Sequence, residues 1–253
     1  MNTKRRIVGI IPSRYNSTRL PGKPLVSING VCLIERVFVQ AKKSKELDDV
    51  LIATDDKRVF EKARGFGAKV VMTSALCKSG TDRLSEVARK YEKNARAFIN
   101  IQGDEPLIDP GLIDTLAREL KKPGCPEMVT AAFPIKSNEE FEDPNVNKVV
   151  LDKDGNAIYF SRSPIPYPRK PGNAAPLKHL GIYGYSRSFL LKYSSLKQTP
   201  LEISEQLEQL RAIENGYKIR VVIAKKDSAG VDTPDDVKKV EKILRNGALS
   251  KSK

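Results

Sequence analysis

Short apolar runs alternate with amphipathic stretches over the first half of the chain. "RIVGII", "VLIAT" (50–54), "KVVM" (69–72) and "AFINI" (97–101) have the length and β-branched content of strands. Between them Leu33, Ile34, Val37, Phe38 and Ala41 form one apolar stripe at helical spacing, and Val59, Phe60 and Ala63 form a shorter one ending at Gly65 and Gly67. Leu84, Val87, Ala88 and Tyr91 predict a third helix, and Leu112, Ile113, Leu116, Ala117 and Leu120 predict a fourth behind Pro110. Strand and helix in turn imply an α/β fold, with a mostly parallel sheet flanked by helices.

Past "MVTAAFP" (128–134) the rhythm changes. "VNKVVLDKDGNAIYFS" reads as two strands around an Asp-Gly turn, an inserted β-hairpin. A proline-rich stretch without periodicity follows, from Pro164 to Pro176. "GIYGYS" and "IRVVIA" restore strand character. Between them residues 201–215 predict one helix with Leu207, Leu210 and Ile213 inward. The last helix opens at "TPDD", with Thr233 as N-cap and Pro234 at the first helical position. No linker or repeat divides the pattern, so residues 1–253 are read as one domain with a hairpin excursion at about 134–168.

Composition narrows the class without naming it. The 253 residues are 40% hydrophobic and 30% charged, as in a soluble globular protein. No apolar run approaches the length of a membrane span, and "MNTKRRIVGII" lacks the pattern of a signal peptide, so a cytoplasmic protein without membrane insertion is expected. Cys32, Cys77 and Cys125 are widely spaced and form no C-x-x-C pair, which argues against a disulfide framework or a thiolate metal site. The net charge is +14, from 45 Lys+Arg against 31 Asp+Glu. The excess is scattered, with small clusters at Lys4-Arg5-Arg6 and at Lys251 and Lys253, and no nucleic-acid-binding motif accompanies it. It reads as a solvated, lysine-rich surface. A nucleic-acid-binding protein is the rival from another class.

Four polar stretches carry candidate chemistry. "GIIPSRYNSTRLPGKPL" (9–25) leaves the first strand and turns basic at Arg14, Arg19 and Lys23. It fits neither the P-loop nor the dinucleotide fingerprint, and it is either a phosphate-binding loop or a structural turn. "INIQGDEP" (99–106) delivers Asp104 and Glu105 after Gly103, at the end of a strand. Carboxylates there suit a hard cation shared with phosphates, and a helix-capping acid is the alternative, although Asp109-Pro110 is better placed for capping. In "AGVDTPDD" (229–236), Asp232 is either a second such ligand or an extra cap. His179, the only histidine, stands just before a predicted strand and near Lys178 and Tyr183, in either a structural or a ligand-binding role.

Taken together, "PSRYNSTRLPGKPL", "SGTDRL", "NIQGDEP", "YFSRSPIP", "HLGIYGY", "PLEISEQLEQLR" and "GVDTPDD" occur in an order that closely resembles the 3-deoxy-manno-octulosonate cytidylyltransferases of lipopolysaccharide biosynthesis. The resemblance runs from about Ile7 to the final helix. It implies a nucleotide-diphospho-sugar transferase-like fold and a Mg²⁺-dependent reaction. CTP and 3-deoxy-manno-octulosonate (KDO) would give CMP-KDO and pyrophosphate. It further implies that Arg14, Arg19 and Lys23 hold the CTP phosphates, that Ser79, Gly80, Thr81 and Arg83 frame the cytosine with Gln102 nearby, and that Asp104 and Asp232 are the Mg²⁺ ligands. Lys23, Asp104 and Asp232 would carry the catalytic work. Arg162, His179, Tyr183, Glu208 and Gln209 would bind the sugar acid, and a homodimer is expected, with the hairpin region as a contact.

The chain departs from the family pattern at Cys77, where many relatives carry histidine, and at Ser13, where alanine is common. Residues 167–177 also match poorly. A sialic acid synthetase or an enzyme for an amino-sugar analogue of KDO is the nearer rival. The first loop and "HLGIYGY" favour KDO.

Overall fold

In the computed structural model, residues 6–170 and 175–249 are described. Lys4, Arg5, Lys251 and Lys253 of the terminal basic clusters, and residues 171–174 of the proline-rich stretch, lie outside them. The chain divides into two compact units. The first comprises residues 1–114 and 228–253, and the second comprises residues 115–227.

The first unit opens with β1 (Ile7–Ser13), a 3₁₀ turn (Lys23–Leu25), and the short strands β2 (Ser27–Ile28) and β3 (Val31–Cys32). Then come α1 (Leu33–Ala41), β4 (Asp49–Thr54), α2 (Lys57–Gly65), β5 (Lys69–Met72), α3 (Gly80–Lys90) and β6 (Ala97–Asn100), and the chain passes into the second unit within α4 (Pro110–Lys121). β1 lies between β6 and β4, β5 pairs with β4, and every one of these pairs is parallel. Ile7, Val8, Ile10 and Ile11 are all buried, consecutive residues that face opposite sides of the strand. Both faces of β1 are therefore covered. Each such side chain contributes roughly 1.5–3 kcal/mol on leaving water. The covering stripes match the sequence pattern: Leu33, Ile34, Val37 and Ala41 on α1, Val59 and Ala63 on α2, and Leu84, Val87 and Ala88 on α3 are buried.

The second unit contains β7 (Met128–Pro134), α5 (Asn138–Glu142), β8 (Lys148–Leu151), β9 (Ala157–Ser161), β10 (Leu177–Ser186), α6 (Arg187–Tyr193), α7 (Pro200–Glu205), α8 (Leu210–Glu214) and β11 (Ile219–Ile223). β7 pairs in parallel with β11 and antiparallel with β10. The predicted hairpin is β8–β9, antiparallel, with Val149 opposite Phe160. Asp152 closes its turn by accepting from the backbone N–H of Asp154 and Asn156.

Two expectations need correction here. Residues 201–215 form two short helices, because Gln206 adopts a left-handed backbone (φ 53°) that ends α7 and re-aims the chain before α8. Leu207 and Leu210 remain buried, whereas Ile213 is only half-buried. His179 lies inside β10 and not ahead of it.

The chain then returns to the first unit as α9 (Pro234–Leu249). Thr233 and Asp236 cap that helix reciprocally. The Asp236 N–H reaches Thr233 Oγ1 (3.3 Å), and the Thr233 N–H reaches Asp236 Oδ2 (3.0 Å). Among the described residues, no helix is long and apolar enough to cross a membrane.

Candidate active site

The basic loop leaves the carboxyl end of β1 at Ser13. Gly22, at φ 66°, starts the 3₁₀ turn that carries Lys23. A Cβ there would sit 3.1 Å from the Tyr15 hydroxyl in a conformation that favours glycine. Tyr15 is held in turn under the Arg58 guanidinium, 3.3 Å from the ring centre. Pro24 is buried, so the turn is anchored directly beside the lysine.

Lys23 Nζ donates to Asp104 Oδ2 at 2.6 Å and to Asp232 Oδ1 at 2.8 Å. Arg19 lies 3.0 Å from the other oxygen of Asp232. Residues 81 and 209 positions apart thus meet at one ammonium group. Asp104 arrives there because Gly103 carries no side chain, and a Cβ at that position would stand 2.8 Å from the Pro12 carbonyl oxygen. Asp232 is brought in by the neighbouring backbone. The Val231 N–H donates to Asp104 O (2.9 Å), and Ser228 Oγ donates to Glu105 (2.7 Å). The capping alternative for Asp232 does not hold, since Thr233 and Asp236 cap α9 and the Asp232 carboxylate turns to Lys23 and Arg19.

Burial pulls the Lys23 pKa down, but Asp104 and Asp232 outweigh it and hold the ammonium above its ordinary value. Lys23 is 15% exposed, against 33% for Asp104 and 45% for Asp232. The carboxylates therefore face solvent over a shielded cation.

These groups line a cavity of about 440 Å³ together with Arg14 and Gln102. Asn16, Ser17 and Thr18 add polar groups to its wall. The one sequence signal for Asn16 is its position inside the basic loop. Arg14 also donates to the Cys77 carbonyl, tying the loop to the segment ahead of α3.

The "SGTDRL" residues are at the start of α3. Ser79 is the N-cap in a capping box with Asp82, and the position of a Cβ on Gly80 lies 3.4 Å from the Pro12 side chain. Thr81 and Arg83 are buried. The Arg83 guanidinium is engaged by Thr73 and, at 2.8 Å, by Asp55. It ties together the segments that follow β4 and β5, and Arg83, like Ser79, Gly80 and Thr81, is not among the residues that line the cavity.

The second unit holds the other group of predicted residues. His179 Nε2 is 2.9 Å from Thr130 Oγ1, whose single proton goes to the Ile182 carbonyl at 2.7 Å. The imidazole must therefore donate to Thr130 from Nε2, which leaves Nδ1 as an acceptor. Burial pushes His179 down to about 3, so it is neutral near pH 7 and offers no charge to an anion. Its ring contacts Phe160 edge-on at 4.9 Å and lies 5.3 Å from Tyr183.

Tyr183 donates to Gln209 Oε1 (3.1 Å), and burial raises its phenol pKa well above the ordinary value. Gln209 Nε2 is buried with no partner among the described residues. Glu208 accepts at its backbone carbonyl from Tyr193 (2.5 Å). His179, Tyr183 and Gln209 are thus joined by contacts. Arg162 makes its hydrogen bonds elsewhere, with Nε to Glu205 O (2.7 Å) and Nη1 to Pro144 O (3.0 Å). Lys178 is paired with Glu140 and, at 2.6 Å, with Asp227.

Among the described residues, no three His, Cys, Asp or Glu side chains cluster as metal ligands. The pair Asp104 and Asp232 still fits one hard cation. Mg²⁺ prefers a few carboxylate oxygens, with the rest of its shell from phosphates and water, so two carboxylates beside a cation-lined cavity are the expected protein share.

Carboxylates and cations in one cleft at the carboxyl ends of parallel strands suit a metal-assisted nucleotidyltransferase. The sequence profile of the family described as Cytidylyltransferase matches residues 8–219. A 3-deoxy-manno-octulosonate cytidylyltransferase from Solibacter usitatus is 49% identical over 97% of both chains. The protein of the same name from Arabidopsis thaliana, described as mitochondrial, is 46% identical over 98% of this chain and 86% of its own. A solved CMP:2-keto-3-deoxy-manno-octonic acid synthetase, complexed with CTP, superposes with a TM-score of 0.91 at 42% identity, covering 96% of this chain and 99% of that one. The chain belongs to the 3-deoxy-manno-octulosonate cytidylyltransferase family.

Proposed function

We propose that this protein couples CTP with KDO to give CMP-KDO and pyrophosphate. The observation that carries the reading is the Lys23 ammonium bridging Asp104 and Asp232 in a cavity lined by Arg14, Arg19 and Gln102. The anomeric hydroxyl of KDO attacks the α-phosphorus of CTP. An O–P bond forms, and the bond from the α-phosphorus to the bridging oxygen breaks, with the electron pair leaving on pyrophosphate and the hydroxyl proton passing to water. Alignment and charge neutralisation supply most of the catalysis in such a transfer.

In this reading Arg14, Arg19 and Lys23 hold the triphosphate, and Lys23 offsets the charge that grows on the leaving group. Asp104 and Asp232 would hold Mg²⁺, which when bound would polarise the phosphate under attack. Ser79, Gly80, Thr81 and Gln102 border the base, and Arg83 acts through Thr73 and Asp55. Arg162, His179, Tyr183, Glu208 and Gln209 receive the sugar acid. His179 does so as a neutral hydrogen-bonding group, which leaves the carboxylate to Arg162. No side chain is assigned as general base.

The chain works as one nucleotidyltransferase domain in this account, because its first unit is completed only when α9 returns after the second. The β8–β9 hairpin region is the proposed contact of a homodimer. No nucleic-acid partner is invoked for the surplus charge.

The test is pyrophosphate release from CTP and Mg²⁺ with KDO or with N-acetylneuraminate as acceptor. Release with KDO alone supports the assignment. Release only with N-acetylneuraminate moves the protein to a sialic acid synthetase, and salt-sensitive polymer binding without turnover moves it to the nucleic-acid class.

A further inference from the structure

The second unit contains a lysine that the proposed chemistry does not use. Lys148, on β8, is fully buried. Its ammonium donates to three backbone carbonyls: Asp143 O (3.0 Å), Val146 O (2.7 Å) and Arg162 O (2.6 Å). An ammonium has three N–H donors, and all three are spent on carbonyl oxygens, not on a carboxylate. Burying a cation without an ion-pair partner is costly, so the cage has to secure something.

Capping the end of α5 accounts for part of the cage, since Asp143 is the C-cap residue of that helix. It does not account for the shortest bond, which crosses to Arg162 just beyond β9. Arg162 is held at its backbone and at two of its guanidinium nitrogens. Its N–H donates to Glu205 Oε2 (2.9 Å), its Nε to Glu205 O (2.7 Å) and its Nη1 to Pro144 O (3.0 Å), while its own carbonyl takes the Lys148 ammonium. Pro144 sits inside the turn whose other carbonyls bind Lys148, so one ammonium ties the peptide of Arg162 and the turn that receives its guanidinium. Glu205 completes the frame by accepting from Ser161 Oγ at 2.6 Å. Among the described residues, two guanidinium N–H groups are committed to the frame and three are left over for a ligand.

We propose that Lys148 and Glu205 are positioning residues that fix Arg162 for the carboxylate of the sugar acid. The proposal rests on the reading of Arg162 as a sugar-acid ligand. A frame of this kind lowers the ordering cost of the bound arginine, so its loss falls on sugar-acid affinity and leaves the nucleotide untouched.

The experiment measures KM for KDO, KM for CTP, kcat and Tm for Lys148→Met, Glu205→Gln, Arg162→Ala and the Lys148→Met/Arg162→Ala double variant. The expected result is a rise of about tenfold or more in KM for KDO in both framing variants, equivalent to about 1.4 kcal/mol. KM for CTP should stay within about twofold of wild type. The double variant should be no worse than Arg162→Ala alone, because the frame acts through that arginine. A lower Tm with KM for KDO unchanged in Lys148→Met overturns the proposal and leaves only a structural lysine. If Lys148→Met does not fold, Glu205→Gln decides, and an unchanged KM for KDO there overturns the proposal equally. If Arg162→Ala itself leaves KM for KDO unchanged, the sugar-acid reading of Arg162 fails and takes the proposal with it.

Discussion

Lys23→Met removes the ammonium group and keeps most of the volume of the stem. In the folded protein this deletes two charge-assisted hydrogen bonds, of 2.6 and 2.8 Å, to Asp104 and Asp232. Bonds of that type contribute about 1.5–3 kcal/mol when shielded. The lysine is shielded, but its partners are a third and nearly a half exposed, so water compensates much of the loss. A net stability change of about 1 kcal/mol follows, and the protein stays folded at 25 °C. Turnover should suffer far more. Pyrophosphate gains negative charge as it leaves, and one preorganised donor facing developing charge is worth about 2.7–4 kcal/mol, or roughly 10²–10³ in rate. The assay is steady-state pyrophosphate release, with a thermal melt on the same samples. Lys23→Arg should recover part of the rate, because it restores the charge but not the compact point geometry. A folded Lys23→Met protein within about threefold of wild-type kcat would refute the role given to this lysine.

Further outcomes follow from the same structure. Gly103→Ala would place a methyl carbon 2.8 Å from the Pro12 carbonyl oxygen and so displace Asp104; overpacking typically costs about 1–3 kcal/mol, and Mg²⁺-dependent turnover should fall while β-sheet circular dichroism persists. Arg83→Met should lower stability by about 3–5 kcal/mol by stranding Asp55, measured by urea unfolding; a loss below 1 kcal/mol would remove it from the brace. His179 is held neutral with a folded pKa of about 3 against 6.5 when free, so the unfolded chain binds the extra proton on acidification. Its contribution is complete above pH 6.5 and shrinks as pH falls toward 3, by about 2 kcal/mol between pH 7 and pH 5. His179→Gln should flatten that part of the stability profile.

Much of the fold is visible in the chain because its signals are local. "KVVM" is β5 residue for residue, the stripe Leu33–Ala41 is α1, and Thr233-Pro234 starts α9 as its capping chemistry dictates. The break at Gln206 was not visible, because apolar spacing continues through Leu207 and Leu210 and neither glycine nor proline marks the left-handed residue. The short helix α5 escaped for a similar reason, since a five-residue element shows no periodicity.

At the site, residue types near Lys23, Asp104 and Asp232 pointed to phosphate and metal chemistry, yet the spacing alone left caps and turns open. Only tertiary contact, Val231 N–H on Asp104 O, shows why the two aspartates converge. Arg83 shows the opposite limit. Its motif suggests a ligand contact, and its burial makes it a brace, a distinction that depends on Asp55 and Thr73, residues outside the motif.

In the proposed reaction CTP and its cation are held where Lys23 meets Asp104 and Asp232. A crystal structure with CTP and Mn²⁺, read by its anomalous signal, tests this most directly. A manganese peak is expected within coordinating distance of carboxylate oxygens of both Asp104 and Asp232, with the triphosphate against Arg14, Arg19 and Lys23. A peak that touches neither aspartate, or a triphosphate bound in another cavity, would contradict it.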